Sequence, residues 1–212
     1  MNNLSPEKAF IFRTTHIDNL PWILANGVHC QNSGKGDPDF REIGNRDLIA
    51  KRKLRDVPIA PGGTLGDYIP FYFTPYSPML LNIKTGHNGM QQTPMSEIVI
   101  LVSSLHRVAE LRLPFVFTDR HAYLKAARYT SDLTNLTWID WAILQNRDFR
   151  RDPDDPAKVE RYQAEALVYK DFPVSALLGI VCYDAQIENH INGRLANAGV
   201  SLKVVVRQDW YF

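Results

Sequence analysis

Residues 163–169 read QAEALVY and place a glutamate, Glu165, at the start of an apolar run. The run is short and ends in Val-Tyr, a composition typical of a buried β-strand. Successive side chains of a strand point to opposite faces, so Gln163 and Glu165 share one face. The preceding residues are charged, and the sequence therefore predicts a strand that begins with a carboxylate at the end of a loop. Taken alone, such a motif more often marks an exposed carboxylate at a strand edge.

Several other short runs are rich in β-branched and aromatic residues, and they predict strands at residues 10–14, 69–74, 97–103, 114–118, 178–183 and 202–207. Helical spacing is confined to residues 16–27, which end at Gly27, and to residues 122–129 and 185–198. We expect loops at residues 29–68, 84–96 and 144–163. Because the strands do not alternate with helices, the pattern predicts an α+β fold with a mostly antiparallel sheet. No linker divides the chain, so we expect a single domain, residues 1–212.

The composition excludes several classes of protein. Of the 212 residues, 45% are hydrophobic and 22% are charged, which is usual for a globular domain and unlike a disordered or fibrous chain. The net charge of +1 argues against coating of nucleic acid by overall charge. A local basic patch is still present, because residues 41–56 contain six basic and three acidic side chains.

Cysteine content and hydropathy indicate the cellular compartment of the protein. The two cysteines, Cys30 and Cys182, are far apart and lack metal-ligand spacing, so we expect neither a disulfide framework nor a metal site. The longest apolar runs fall far short of the ~18 residues that a membrane span needs. The first ten residues lack the pattern of a secretory signal. The sequence therefore predicts a cytoplasmic protein with no membrane association.

Four further segments contain residues that could take part in chemistry, and each has a simpler structural explanation. In residues 10–16, FIFRTTH, a predicted strand ends where a helix begins. Backbone N–H groups at such a junction can bind an amide or a phosphate, but capping of the helix by Thr15 or Asp18 explains the same residues. Residues 67–81 are crowded with aromatic side chains that suit either a core or a stacking platform. Residues 114–123 run from an apolar strand into the polar TDRH. Residues 51–55, KRKLR, are either a solvated helix face or a phosphate contact. Neither a GxGxxG nor a P-loop motif is present.

Together and in order, these segments resemble the DarT family of DNA ADP-ribosyltransferase toxins. The resemblance covers nearly the whole chain, and the parts that carry it are FRTTHIDNLPWIL, LGDYIPFYFTP, SPML, EIVILVSS, FVFTDRHAY and ERYQAEALVY. It implies an ADP-ribosyltransferase fold with peripheral helices and NAD⁺ as the donor of ADP-ribose. It further implies transfer to a base of single-stranded DNA, thymine in the better-known subgroup. A macrodomain-type antitoxin similar to DarG is the implied partner.

The resemblance also assigns catalytic and donor-binding residues. The catalytic glutamate falls on Glu165, where it would stabilise the positive charge that develops on the ribose and act as general base. The essential arginine falls on Arg52, with Arg55 as the rival position. The residues expected to bind NAD⁺ are Arg13, Thr14, Thr15 and His16 of the first strand, with Tyr72 or Phe73 stacking on nicotinamide.

The DNA side is assigned in the same way. The residues expected to contact DNA are Arg55, Tyr76, Ser77, Met79, His121, Arg150, Arg151 and Tyr162, and residues 152–163 correspond to the substrate-recognition loop. Many relatives carry an aromatic residue or histidine at the position of Arg13 and an arginine at that of Tyr76, so the preferred base stays open. The alternatives are transfer to guanine, RNA or protein, or a non-catalytic module that binds nucleic acid by stacking.

Overall fold

The structure is a computed structural model that describes residues 4–212, so Met1, Asn2 and Asn3 of the predicted domain lie outside the described residues. Its strands are β1 (Phe10–His16), β2 (Val28–His29), β3 (Tyr68–Tyr72), β4 (Ile98–Ser104), β5 (Phe115–Thr118), β6 (Tyr129–Thr130), β7 (Glu165–Tyr169), β8 (Asp171–Phe172), β9 (Gly179–Cys182) and β10 (Lys203–Val206). Its helices are α1 (Leu20–Asn26), α2 (Arg46–Arg52), α3 (Pro78–Thr85), α4 (Leu105–Glu110), α5 (Trp141–Gln145), α6 (Lys158–Tyr162) and α7 (Ala185–Ala198).

Eight of these strands form one sheet in the order β10-β9-β4-β1-β3-β7-β5-β6, and β2 pairs with β8 in a small second sheet. Only the pair β9–β10 is parallel among the pairings of the described strands. The prediction of an α+β fold with a mostly antiparallel sheet and peripheral helices is therefore confirmed. The apolar residues of β1, β4 and β7 are almost wholly buried between the helices on either side.

Each of the seven predicted strands is present, with ends that differ from the prediction by at most two residues. Helix α7 is confirmed and ends at Gly199, which has the left-handed conformation typical of a helix end. The helix predicted from residue 16 is a short 3₁₀ turn, Ile17–Asn19, followed by α1. The expected loops at residues 29–68 and 144–163 are wrong in part, because they contain α2 and α6. No residue of α2 is buried, so its sequence does not show the apolar spacing from which a helix can be predicted.

The helix predicted at residues 122–129 is wrong. The chain turns there and then enters β6. Two carboxylates take backbone N–H groups of this segment: Glu165 accepts from Ala122 at 3.0 Å, and Asp119 accepts at 3.0 Å from Arg128, whose N–H would have bonded Leu124 within a helix. Tertiary hydrogen bonds therefore override the local helical pattern.

The register of the central strands fixes the position of the candidate site. Strands β3 and β7 are antiparallel, and Tyr72 lies directly opposite Glu165. Phe12 of β1 is the partner of Tyr72 on its other side. Directly opposed residues point to the same face of a sheet. The central three strands therefore bring one end of β7 together with the residues around Tyr72.

Replacing Gly27 with alanine is expected to destabilise the fold by about 3 kcal/mol. The alanine would have to adopt a positive φ, and its added Cβ would collide with a backbone oxygen. Gly27 has φ of 80° and closes α1, and an added Cβ would lie 2.6 Å from the carbonyl oxygen of Phe172. Thermal unfolding should show a fall in Tm of roughly 10 °C. The matched control is Gly193→Ala inside α7, where no atom lies within 4 Å. An equal fall in both variants would contradict this explanation.

Candidate active site

Glu165 is the first residue of β7, and its side chain is only 2% exposed at the bottom of a cleft. Its backbone N–H donates to the hydroxyl of Thr118 on the neighbouring strand β5, at 3.3 Å. Its carboxylate accepts the N–H of Ala122 at 3.0 Å. A buried carboxylate costs free energy unless its oxygens are bonded. The fold thus holds this acid in a fixed orientation, and the strand-edge explanation with an exposed side chain does not apply.

Arg52, the last residue of α2, forms a two-point ion pair with Glu165. Its Nη1 lies 3.0 Å from Oε1 and its Nη2 lies 2.7 Å from Oε2. The paired geometry uses the planar guanidinium, which a lysine cannot reproduce. The rival position, Arg55, points elsewhere and donates to the carbonyl oxygen of Leu124 at 3.4 Å. The structure therefore brings Arg52, and not Arg55, to the glutamate.

Burial and nearby charge act in opposite directions on the pKa of Glu165. Burial raises the pKa, but Arg52, His121 and the Ala122 amide together lower it below its usual value. The carboxylate is therefore ionised at neutral pH. Burial also lowers the pKa of the His121 imidazole, against the opposing effect of Glu165. Because Nδ1 of His121 accepts the N–H of Tyr123 at 3.2 Å, the neutral ring carries its proton on Nε2.

The wall of the cleft opposite α2 is built from β1 and β3. Arg13, Thr14, Thr15 and Tyr72 all line it, as predicted for part of the donor site. Arg13 donates to the carbonyl oxygen of Pro70 at 3.0 Å, and burial together with Arg52 lowers its pKa to about 10. Both guanidinium groups are charged at neutral pH, so the cleft offers two guanidinium cations together with the carboxyl groups of Glu42 and Glu165 within a partly apolar lining.

The remaining wall is the segment of residues 40–45, which one buried side chain holds in place. Asn19 is 1% exposed and accepts the N–H of Arg41 at 2.8 Å, while its amide donates to the carbonyl oxygen of Arg41 at 3.0 Å. The same amide group donates to Thr15 at 3.0 Å. Asn19 therefore joins the segment to β1. None of these wall residues was predicted from sequence, although Asn45 as the cap of α2 was a readable signal.

Asn19→Ala is expected to raise the KM for a dinucleotide donor about tenfold with a smaller change in kcat, because residues 40–45 would lose their attachment. Loss of a hydrogen-bonded buried amide costs about 1–3 kcal/mol, which corresponds to this factor. Steady-state kinetics with varied donor concentration measures it. Asn26→Ala is the control, because Asn26 is exposed and bonds only within α1, to Trp22. A KM within twofold of the unchanged chain would contradict the assignment.

Three residues predicted for the donor or DNA lie in the interior instead. Phe73 is fully buried and packs edge-on against Phe117 and Trp141, so neither face of its ring is free for nicotinamide. Ser77 caps α3 by accepting the N–H of Leu80. Tyr162 is 1% exposed and donates to the carbonyl oxygen of Tyr76 at 2.9 Å. Strand alternation explains the first error, since only one of Tyr72 and Phe73 can face the cleft.

His16 is also buried, and it does not line the cleft. Its Nε2 lies 3.0 Å from Glu97, and its Nδ1 accepts the N–H of Asp18 at 3.1 Å. Both ring nitrogens are therefore occupied by neighbours on the protein. The His16 side chain caps the 3₁₀ turn Ile17–Asn19, so this motif does cap a helix, but the expected caps, Thr15 and Asp18, are wrong.

The other predicted DNA contacts are spread over the surface around the cleft. Met79 and His121 line it. Tyr76 lies against Phe212 with ring centroids 3.8 Å apart, and the guanidinium of Arg147 lies over its ring at 4.8 Å. Arg150 and Arg151 are exposed between α5 and α6, and Arg150 pairs with Asp148 at 3.4 Å. The structure therefore gathers Met79 and His121 with Glu165 and leaves the two arginines apart.

The described part of the chain contains no candidate for a metal site or a membrane span. Within residues 4–212, no group of three His, Cys, Asp or Glu side chains is placed to bind a metal ion. In the same range, no helix has the length and hydropathy to cross a bilayer.

The fold that holds this buried strand-end glutamate is that of an ADP-ribosyltransferase, as comparison with solved structures shows. The structure matches Thermus sp. 2.9 DarT in complex with ADP-ribosylated ssDNA with a TM-score of 0.90 and 36% identity, over 100% of both chains. It matches the same protein in complex with NAD⁺ with a TM-score of 0.84 and 37% identity, over 98% of this chain and 99% of the other. The predicted fold is confirmed.

Comparison of the amino-acid sequence with known families identifies the family within this class of enzyme. The family described as "ssDNA thymidine ADP-ribosyltransferase, DarT" matches residues 12–212. The DNA ADP-ribosyl transferase of Escherichia coli O127:H6 (strain E2348/69 / EPEC) is 52% identical over 210 residues, which cover 99% of this chain and 96% of that protein. The chain belongs to the DarT family. The predicted family and the predicted class of enzyme are both confirmed.

Proposed function

We propose that this chain transfers ADP-ribose from NAD⁺ to a base of single-stranded DNA, releases nicotinamide, and modifies thymine. The observation that carries the proposal is the buried two-point pair of Glu165 and Arg52 in the cleft. The donor and the acceptor are supported by the Thermus relative, which has been solved with NAD⁺ and with ADP-ribosylated ssDNA. The choice of thymine rests on the description of the family.

The lining of the cleft fits a dinucleotide. The pyrophosphate of NAD⁺ is anionic and its rings are flat, and the cleft offers cationic groups in Arg13 and Arg52 together with the ring of Tyr72. Burial and the nearby Glu165 raise the pKa of Tyr72, so its hydroxyl stays protonated and can donate. Bound NAD⁺ supplies the glycosidic bond to nicotinamide that breaks in the reaction. We propose that Arg13, Thr14, Thr15 and Tyr72 hold it.

Glu165 has the features needed to stabilise a developing positive charge. Its carboxylate is ionised, buried and held by the Ala122 N–H, so its orientation is fixed before the substrates bind. A charge fixed in a low-dielectric site contributes most to the rate when the opposite charge forms beside it. We propose that Glu165 stabilises the ribose cation and then takes the proton that the acceptor base loses.

Arg52 must release part of its pairing with Glu165 when substrates enter. Its two N–H groups are directed at the carboxylate, which supports a role for this side chain beside Glu165. Once displaced, the guanidinium can donate to a base carbonyl or to a donor phosphate. We propose that Arg52 orients the acceptor base and leaves Glu165 free to receive the proton.

The DNA strand is proposed to cross the open side of the cleft near α2. Lys51 and Lys53 are exposed, and neither makes an ion pair within residues 4–212. Together with Arg150 and Arg151 they offer positive charge to phosphates, so binding should weaken as salt increases. Met79 and His121 lie where the acceptor base would enter. A target base that is already unpaired avoids the cost of extrusion from a duplex.

The test is mass spectrometry of a mixed-sequence single-stranded oligonucleotide after incubation with the full chain and NAD⁺. The expected result is one added ADP-ribose unit on thymine, with nicotinamide released in equal amount. Parallel tubes contain RNA and a protein mixture in place of DNA. Modification confined to guanine, RNA or protein would replace the proposed acceptor, and no consumption of NAD⁺ in any tube would favour a module that only binds nucleic acid.

An enzyme that modifies DNA of its own cell requires a means of reversal. We propose a macrodomain-type antitoxin similar to DarG as partner and the cytoplasm as the place of action, because both follow from a DNA substrate in a toxin family. We also propose that residues 1–212 act as one catalytic domain, since one sheet extends from β10 to β6 through the site. Co-expression that relieves growth arrest would test the antitoxin.

A further inference from the structure

Glu165 lies where the regular pairing between β5 and β7 stops. The last paired residues of the two strands are Phe117 and Ala166, so Thr118 and Glu165 come next, just beyond the ladder. A backbone group that leaves a ladder inside the protein needs another partner. The N–H of Glu165 finds this partner in the fully buried side chain of Thr118, which accepts it at 3.3 Å. A side-chain hydroxyl therefore replaces the neighbouring strand at the residue that carries the catalytic carboxylate.

The same hydroxyl also bonds the loop that follows β5. It donates its hydrogen to the carbonyl oxygen of Arg120 at 2.6 Å. Two residues further along, the N–H of Ala122 donates to Oε1 of Glu165 at 3.0 Å, and Nδ1 of His121 lies 3.6 Å from the same oxygen. A threonine hydroxyl can donate once while it accepts, so both bonds of Thr118 form together. Thr118 thus joins the backbone of Glu165 to the loop that holds its carboxylate.

The next residue, Asp119, closes this loop from its far end. Its carboxylate is 2% exposed and accepts both the backbone N–H of Arg128 at 3.0 Å and the Nε–H of the same residue at 2.9 Å. Burial raises the pKa of Asp119, but the two bonds from Arg128 and the charge of Arg120 lower it below its usual value. No step of the proposed reaction uses this buried, ionised group, and these bonds all go to the loop of residues 120–128.

Further contacts attach the loop to the elements around it. The N–H of His121 donates to the carbonyl oxygen of Glu160 on α6 at 3.0 Å, and the hydroxyl of Tyr129 donates to the carbonyl oxygen of Ala122. These contacts should keep the loop folded when the threonine hydroxyl is removed. What would be lost is the alignment of the loop with the carboxylate of Glu165.

Resting on the proposed function, we propose that Thr118 is a positioning residue for the transfer of ADP-ribose, with Asp119 fixing the far end of the same loop. The hydroxyl sets the spacing between the start of β7 and the Ala122 N–H, and so fixes the direction in which the Glu165 carboxylate points. A catalytic group must be held to within about 0.5 Å of its productive place. Thr118 is fully buried and does not line the cleft, so it acts through Glu165 and not on the substrates.

Steady-state kinetics with the full chain, NAD⁺ and a single-stranded oligonucleotide tests this role. Thr118→Val keeps the shape of the side chain and is expected to lower kcat about tenfold, with the KM for NAD⁺ within twofold. Thr118→Ser, which keeps the hydroxyl, should restore most of kcat. Thr130→Val is the control, because its buried hydroxyl also has two bonds, from Asp132 and Asn135 in the segment after β6. Equal losses of kcat in Thr118→Val and Thr130→Val, or a kcat of Thr118→Val within twofold of the unchanged chain, would overturn the proposal.

Titration of the Glu165 carboxyl group reports its placement without any DNA present. The titratable side chains that face this group are Arg52 from α2, His121 from the loop, Tyr72 from β3 and Tyr129 from β6. Burial raises the pKa of Glu165, while Arg52, His121 and the Ala122 N–H together lower it below its usual value. Displacement of the loop would remove the last two of these contributions, so the pKa should rise.

The measurement is ¹³C NMR of the full chain labelled at the glutamate carboxyl carbon, with Glu165 assigned by the signal that Glu165→Gln lacks. Its titration midpoint should lie about one pH unit higher in Thr118→Val than in the unchanged chain or Thr130→Val. Asp119→Asn, which has one carboxyl oxygen in place of two, should raise it as well and serves as the test where the valine variant does not fold. An unchanged midpoint in these variants would overturn the proposal even where transfer to DNA is intact. Failure of the unchanged chain to modify any DNA would instead remove the proposed function.

Discussion

Glu165→Gln is expected to reduce transfer of ADP-ribose to DNA by at least about 10³-fold. The amide keeps the size of the side chain but removes the negative charge that stabilises the ribose cation and the oxygen that accepts the proton. Loss of one fixed group aimed at a developing charge costs about 3–4 kcal/mol in enzymes, and loss of the proton acceptor adds to it. The measurement is kcat/KM for oligonucleotide modification with NAD⁺ at saturation.

The folded state of this variant must be checked separately, because its glutamine would still face the buried guanidinium of Arg52. A broken buried pair destabilises by about 3–5 kcal/mol, and the amide oxygen retains part of this stabilisation. Circular dichroism should show the same secondary structure as the unchanged chain. Glu110→Gln is the control, since Glu110 is exposed on α4 and its carboxylate pairs with Arg107 at 3.4 Å. Transfer by Glu165→Gln at more than a tenth of the control rate would contradict the assigned role.

Arg52→Lys is expected to reduce transfer about 10²-fold although the positive charge is kept. An ammonium group cannot bond both carboxylate oxygens in the plane that Nη1 and Nη2 of Arg52 occupy. The geometry on which the orientation of the acceptor base depends would therefore be lost, while the field of the charge would remain. We expect kcat to fall more than the KM for NAD⁺ rises, because the interaction with the base strengthens in the transition state.

Two comparison variants make this result specific. Arg46→Lys changes the first residue of the same helix, whose side chain is 87% exposed, and should leave kcat within twofold. Arg55→Lys changes the rival position, which donates to the carbonyl oxygen of Leu124 and not to Glu165, and should affect the KM for DNA more than kcat. A large loss of kcat in Arg55→Lys with little change in Arg52→Lys would show that the wrong arginine has been assigned.

The strands could be predicted from sequence because their signals are local. Apolar runs bounded by polar residues place β1, β3 and β7 within two residues of their observed ends. Glu165 stands at the beginning of one of these runs, so its position at a strand end was also readable. The left-handed Gly199 marked the end of α7 for the same local reason.

The parts that could not be predicted depend on contacts between distant residues. Arg52 and Glu165 are 113 positions apart, and only the folded chain shows that the last turn of α2 reaches the start of β7. The helical pattern of residues 122–129 gave a wrong prediction because Glu165 and Asp119 take the backbone N–H groups of that segment. Asn19 was missed because its partner, Arg41, lies in a segment without any periodic pattern.

The aromatic residues of positions 67–81 could be predicted as a group from sequence, but their individual positions could be assigned only from the structure. Its composition predicted both core packing and a stacking platform without dividing the residues between them. The pairing of Tyr72 with Glu165 across β3 and β7 makes that division, since it turns Tyr72 to the cleft. Phe73 then belongs to the core with Phe117. A sequence can supply the right residue types, whereas register decides which of them reach the site.

The most direct test of the account is a crystal structure of the full chain with carba-NAD⁺ and a thymine-containing oligonucleotide. The predicted result is a Glu165 carboxylate within hydrogen-bonding distance, about 2.6–3.2 Å, of the ribose next to the nicotinamide, with the thymine on the open side. Arg52 should contact that base or the donor in place of one carboxylate oxygen. A donor bound outside this cleft, or a Glu165 that stays fully paired with Arg52 and away from the ribose, would contradict the account.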